Sequence, residues 1–228
     1  MGRVSRSGRL AIVLAMFAVA VAAVVWTAFN YVGSEPATVS FTTGHQAGAP
    51  VHLVAQTDGA VGTGAHPTWV SYQVQTPRSG QWVHTTLWQL PAHTRIDVTI
   101  YQFDSGSALR NQFFGRVTGT LGGRARMTGQ SFKVINSNKT TVGHTFTVPS
   151  LGINVPLMGN TTSKKTFCTS GPCDPATQLN HKVTFSFVTP GAGNYRFQCF
   201  IPCGGGRYAG NGGPMQTLGY MGGFLEVV

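Results

Sequence analysis

Residues 191–228 read GAGNYRFQCFIPCGGGRYAGNGGPMQTLGYMGGFLEVV. A turn at 189–193 feeds a short strand at 195–198, which delivers Cys199 and Cys203 into a Gly-rich loop. The loop ends at Met221, and 224–228 reads as a closing strand of apolar and β-branched residues. Strand, cysteine loop, strand is a β arrangement. The glycines at 204–206 follow a cysteine and lead into no helix, which excludes a phosphate-binding loop.

The chain upstream keeps the same period. Segments 68–75 (TWVSYQVQ), 82–90, 95–103 and 182–188 (KVTFSFV) alternate apolar and polar residues as half-buried strands do. Segment 142–149, VGHTFTVP, reads as another strand, with His144 near its start. Residues 104–108 read as a turn, and 113–118 and 131–136 as two further strands joined by the Gly- and Arg-rich 119–129. No segment after residue 33 shows helical periodicity. With 30 glycines, 42% hydrophobic residues and only 10% charged ones, the composition predicts an all-β domain with many turns and excludes a disordered chain.

Residues 10–29, LAIVLAMFAVAVAAVVWTAF, form an uncharged apolar run long enough to span a bilayer. Arg3, Arg6 and Arg9 precede it, which places the N-terminus inside and residue 33 onward on the extracytoplasmic side. A cleaved signal segment is the competing reading, but its apolar core of about 7–15 residues is shorter than this run. The expected layout is a membrane anchor or signal segment at 1–32, a linker with one or two edge strands near 39–43 and 51–55 at 33–66, and the β domain at 67–228.

Outside the cytoplasm cysteines can pair. The four fall in two close sets, and the polar-loop sequence CTSGPC predicts a local Cys168–Cys173 disulfide. Net charge is +10, and +7 remains on the chain once the three leading arginines are set aside. Such a surface suits an anionic lipid or an acidic partner protein. The basic residues are scattered singly apart from Lys164 and Lys165, so no nucleic-acid stripe is present. Acidic residues are few and dispersed, and there is no Gly-x-Ser-x-Gly elbow or zinc-protease helix, so no catalytic set emerges.

Thiolates at Cys-x-x-x-Cys and a later thioether are soft donors that suit copper. From about residue 88 the chain resembles the cupredoxins, and in particular the extracytoplasmic copper domain of cytochrome c oxidase subunit II. The matching stretches are LPAHTRIDVTIYQFD (90–104), HTFTVPSLGINVPL (144–157), TPGAGNYRFQC (189–199), CFIPCG (199–204) and GYMGGFLEVV (219–228), with an apparent insertion between 104 and 142. The resemblance implies a Greek-key β-sandwich. It also implies a dinuclear copper centre held by two bridging cysteines, two histidines, a methionine and a backbone carbonyl. His144 matches the first histidine, Cys199 and Cys203 the bridging pair, Ile201 the carbonyl donor and Met221 the methionine. The second histidine has no match: Arg207 and Leu218 stand at its two reference positions, and the loop before Met221 is longer than the pattern. Subunit II also usually carries two membrane spans, and this chain has one.

Met215, His181 or a residue of another subunit are the candidates for the missing donor. One soft ion held by His144, Cys199, Cys203 and Met221 satisfies the donor chemistry as well as two ions do. The resemblance therefore implies a membrane-anchored, copper-binding electron carrier acting as a subunit or partner of a respiratory oxidase, the electron-entry subunit if part of the enzyme. Phe197, Phe200 and Tyr208 are the expected docking face. A metal-free accessory subunit with a Cys199–Cys203 disulfide and a copper carrier stay open as alternatives. A self-contained copper oxidase is disfavoured, because His45, His52, His66, His84 and His93 are scattered.

Overall fold

A computed structural model of the 228-residue chain describes residues 5–33, 36–58, 66, 69–135, 141–160, 171–203 and 213–228. The chain divides into two compact units, Met1–Glu35 and Pro36–Val228. The first holds one helix, α1 (Arg6–Gly33), whose stretch Arg6–Phe29 is long and apolar enough to cross a membrane. It is apolar around its circumference and buries none of that surface. A helix of this kind calls for a nonaqueous surrounding.

Among the described residues the second unit is all β apart from short 3-10 turns. Its strands are β1 (Thr38–Ser40), β2 (Val51–Asp58), β3 (Ser71–Gln75), β4 (Trp82–Val83), β5 (Leu87–Leu90), β6 (Arg95–Gln102), β7 (Ala125–Met127), β8 (Gln130–Phe132), β9 (Val142–Val148), β10 (Ile153–Met158), β11 (His181–Val188), β12 (Gly193–Gln198) and β13 (Gly222–Val227). They form a six-stranded sheet, in the order β1-β5-β13-β12-β9-β10, and a seven-stranded sheet, β4-β3-β2-β6-β11-β7-β8. Three pairings are parallel, β1 with β5, β5 with β13 and β2 with β6. The expected two-sheet, all-β architecture behind a single apolar helix is what the structure shows.

Period-two alternation explains how the sheets meet. Along β6 the inward residues Ile96, Val98 and Ile100 are buried, and β11 contributes Val183, Phe185 and Phe187 beside them. The facing sheet supplies Trp88, Phe146 and Phe197, all fully buried. Aromatic rings then join the two layers: Tyr72 of β3 meets Trp88 edge-on at 5.9 Å, and Phe146 of β9 lies 5.6 Å from Phe185 of β11. Such pairs add to the area buried and fix how the layers sit. The Tyr72 hydroxyl, buried between them, donates to the Thr145 carbonyl at 3.2 Å.

Three local expectations change. Residues 51–58 are not an edge strand of a linker. β2 lies inside its sheet, between β3 and β6. Its alternation supports this, since all but two of its eight residues are buried. Residues 82–90 are not one strand: the chain leaves the larger sheet after β4 and enters the smaller at β5. The crossing is fixed by Thr85 and Thr86, whose hydroxyls donate to the Ala37 and Gly222 carbonyls at 2.5 and 2.8 Å. Residues 113–118 form no strand. Gln112–Gly115 is a 3-10 turn whose Phe113 N–H is capped by the Asn111 side chain at 3.0 Å, and only isolated bridges follow. β7 lies inside what the sequence presents as a connection.

Candidate metal centre

β12 runs antiparallel to β9 with Gln198 opposite Thr147. The residue after β12 therefore arrives beside the middle of β9, at Thr145. Cys199 is pinned there by its N–H, which donates to the Met221 carbonyl at 2.9 Å, and by its sulfur, which accepts the Thr145 N–H at 3.5 Å. The next amide, Phe200 N–H, donates to Thr145 Oγ1 at 2.9 Å. The loop then turns back and brings Cys203 to the same point.

Nδ1 of His144 lies 3.1 Å from the Cys203 sulfur and 3.7 Å from that of Cys199. The two sulfurs are 2.9 Å apart, and both cysteines are free. The Ile201 carbonyl accepts from Cys203 at 2.9 Å and stands 3.5 Å from the Cys199 sulfur. The nitrogen and both sulfurs fit within 4.8 Å of one another, close enough to share one metal ion. Met221 is fully buried, and its backbone adjoins Cys199 through the hydrogen bond already given. His144, Cys199, Ile201 and Cys203 thus converge, with Met221 next to them along the backbone.

Asp104, which in the sequence reads only as a turn residue, completes the cluster. Its Oδ2 accepts from His144 Nε2 at 2.8 Å, leaving Nδ1 facing the sulfurs. Asp104 follows β6 in the opposite sheet, and three glycines let that corner close over His144. A Cβ on Gly143 would collide with the Gln102 side chain and come within 2.9 Å of the Ser105 carbonyl. A Cβ on Gly106 would meet the Val142 backbone at 2.8 Å and Gly159 Cα at 2.9 Å, and Gly159 packs against Gly106 in return. Backbone bonds then lock the corner: Ser107 and Val142 exchange N–H···O bonds at 3.1 and 3.0 Å, and Asn160 N–H donates to the Asp104 carbonyl at 2.7 Å.

The electrostatics follow from this packing. Burial pushes the His144 value down, but hydrogen bonds to Asp104 and Cys199, with their charges, overcome it and raise the value to about 10. Burial pushes Cys199 up, and the Cys203 and His144 contacts, the imidazolium charge and the Thr145 amide outweigh it, leaving Cys199 well below a usual thiol. Cys203 is driven well above, first by burial, then by the contact and charge of Cys199 and the charge of Asp104. These shifts favour an imidazolium at His144 beside a thiolate at Cys199, with the proton kept on Cys203. Nearby, the Asp58 carboxyl at the end of β2 is fully buried and raised to about 8, first by burial and then by Asp104, against the pull of the Cys173 amide.

The remaining expected residues fare differently. Phe197 is wholly buried in the core and presents nothing to a partner, whereas Phe200 is half-exposed. Tyr208 and Arg207 lie outside the described residues. Leu218 is half-exposed, and His181 opens β11, paired with Gln102. Among the described residues no second histidine joins the cluster. Cys173 is disulfide-bonded, and Cys168 lies outside the described residues.

No protein-family model matches the chain, and no curated protein does. Among solved structures it is similar to the copper protein rusticyanin, at 17% identity and a TM-score of 0.33, covering 84% of this chain and 82% of that one. Reduced rusticyanin gives 18% and 0.32, with 84% of each chain covered. Rusticyanin from Thiobacillus ferrooxidans gives 19% and 0.29, covering 84% and 82%. At these identities and scores the likeness bears on neither the family nor the site of this chain.

Proposed function

We propose that the chain is a membrane-anchored, cupredoxin-like copper protein that carries electrons on the extracytoplasmic side of a cell membrane. The observation that carries this reading is the meeting of His144 Nδ1 with the free sulfurs of Cys199 and Cys203, brought from strands far apart in the sequence. The donor set fits copper. Two sulfurs and an imidazole are soft to intermediate ligands, and they are fixed by backbone bonds before any ion arrives. Copper held there would supply one-electron exchange between its two oxidation states.

The protein's own groups do the rest. Asp104 orients the imidazole and fixes which nitrogen faces the sulfurs, as carboxylates do behind metal-bound histidines. The Thr145 and Ile201 amides stabilise charge on Cys199 at 3.5 and 3.4 Å. The Ile201 carbonyl is the fourth donor at hand, and we assign Met221 as a weak fifth. Burial of His144 and Cys199 keeps water from competing. Whether one ion or two is held depends on a donor from the loop before Met221 or from another subunit. The resemblance of segments 90–104, 144–157, 189–204 and 219–228 to oxidase subunit II is the ground for proposing a haem-copper oxidase as the acceptor. The arginines before the apolar run at 10–29 and the disulfide at Cys173 agree with the extracytoplasmic side.

Copper loading of the purified chain tests the proposal. The expected result is a visible thiolate-to-copper charge-transfer band and a copper paramagnetic signal, both abolished by Cys199→Ser. Absence of both, with an intact mass lower by two hydrogens at Cys199 and Cys203, would replace it with a metal-free subunit.

A further inference from the structure

We infer that residues 105–135, together with the Phe200–Pro202 side of the cysteine loop, form the docking surface for an acidic protein. The inference rests on the reading of the centre as an electron-transfer site, and it names the partner's charge. This segment is the stretch that the subunit II pattern lacks, and its charge is one-sided. It carries Arg110, Arg116, Arg124, Arg126 and Lys133 and no acidic residue. All five are exposed, and among the described residues none forms an ion pair. Scattered solubility charge mixes both signs. Five like charges with no counterion on one segment instead make a field that attracts an anionic surface.

A second observation is independent of charge. Phe113, Leu121 and Val134 are 49%, 47% and 57% exposed, and all three lie in this same segment. Exposed apolar side chains among arginines are the composition of an interface core rather than of ordinary surface. A third concerns position. Phe114 stacks on Phe200 at 5.1 Å between ring centres, so the segment lies against the loop that carries both cysteines. Between them is a groove of about 450 Å³ whose walls include Leu109, Arg110, Phe114, Phe200 and Pro202. The Ile201 carbonyl on the inner side of that loop touches both sulfurs. A protein seated in the groove would be separated from the centre by one layer of loop.

The chemistry favours a protein over a lipid surface. A bilayer needs a flat or protruding basic face, whereas here Arg110 and the apolar Leu109, Phe114, Phe200 and Pro202 wall a concave groove that an acidic loop with an apolar tip can fill. The test is binding of an acidic [2Fe–2S] ferredoxin to the full chain held in nanodiscs of zwitterionic lipid, followed by calorimetry at low and high salt. Binding is measured on metal-free protein, so failure of copper loading leaves this outcome readable. Arg110→Glu with Arg116→Glu is expected to weaken binding at least tenfold. The matched reversal of Arg78→Glu with Arg196→Glu, outside the segment, should change it less than threefold. Far-UV circular dichroism establishes that each variant folds. Equal losses in both pairs would reduce the effect to net charge and overturn the inference. So would no binding of ferredoxin at all, or binding of phosphatidylglycerol vesicles that depends on Arg110 and Arg116 while ferredoxin binding does not.

Discussion

Asp104 decides what His144 can do. Without the carboxylate at 2.8 Å the Nε2 side of the imidazole loses its hydrogen-bond partner, and burial favours the neutral form. Asp104→Asn keeps the shape and removes the charge. It should weaken copper binding by roughly 10–100-fold, the usual effect of losing a carboxylate behind a metal-bound histidine. A competition titration against a chelator of known affinity measures it, and an unchanged affinity would remove Asp104 from the site. The protons give a second outcome. At pH 7 the metal-free site keeps one on His144, whose value is raised to about 10, and one on Cys203, which lies well above a usual thiol. Both must leave for nitrogen and sulfur to ligate. Copper uptake should therefore release about two protons per site, and affinity should rise with pH by about two logarithmic units per unit. Calorimetry in buffers of different ionisation enthalpy counts them. Asp58 gives the third. Its folded value of about 8 stands above the ordinary 3.8, so the folded chain holds this proton more tightly than the unfolded one. Its stabilising contribution is present at low pH and is lost as pH rises from about 4 through 8. Asp58→Asn should flatten that part of the stability profile in urea melts at pH 5 and pH 8.

The corner from β6 into residue 107 is where the two sheets join the site, and its glycines carry the argument. Gly106→Ala places a methyl against the Val142 backbone and Gly159 Cα. Neither is the end of a flexible side chain, so the corner itself has to shift. We expect a loss of about 1–3 kcal/mol in denaturant melts, with copper affinity falling alongside, since Asp104 moves with the corner. A stability loss with unchanged affinity would show the corner to be a structural feature only. The same element shows what the sequence could and could not tell. Alternation places β6 and β11 closely, 142–149 and 195–198 read as strands from their composition and neighbours, and Cys-x-x-x-Cys after a strand brings Cys199, Cys203 and His144 into one hypothesis. Alternation also held the answer for Phe197: it lies between Arg196 and Gln198, on the same parity as buried Cys199, and so faces inward. Asp104 was hidden because nothing local marks a strand-end acid as lying over a histidine 40 residues on. β2 reads only as an edge strand near 51–55, because the flanking glycine, proline and threonine read as linker, although the strand pairs on both sides.

The two units of the chain answer to different solvents, and their sequences show it. α1 exposes Leu, Ile, Val, Phe and Trp along its length and buries none of its spanning stretch. The sandwich has a core of its own, running from Val39 to Leu225. Apolar area within the domain drives its folding, whereas the apolar helix has the length and composition that a bilayer would accommodate. The boundary matters for the first strand as well. β1 begins at Thr38, and Thr85 is bonded to the Ala37 carbonyl, so a cut after residue 40 would remove an edge of the smaller sheet, whereas one after Gly33 removes none. A fragment beginning at Pro36 should be soluble without detergent, keep the thermal midpoint of the full chain and bind copper with the same affinity. The full chain should stay with membranes through an alkaline carbonate wash. Differential scanning calorimetry of fragment and full chain compares the midpoints. A fragment that aggregates, or that melts well below the full chain, would show that the helix contributes to the fold of the domain and is more than its anchor.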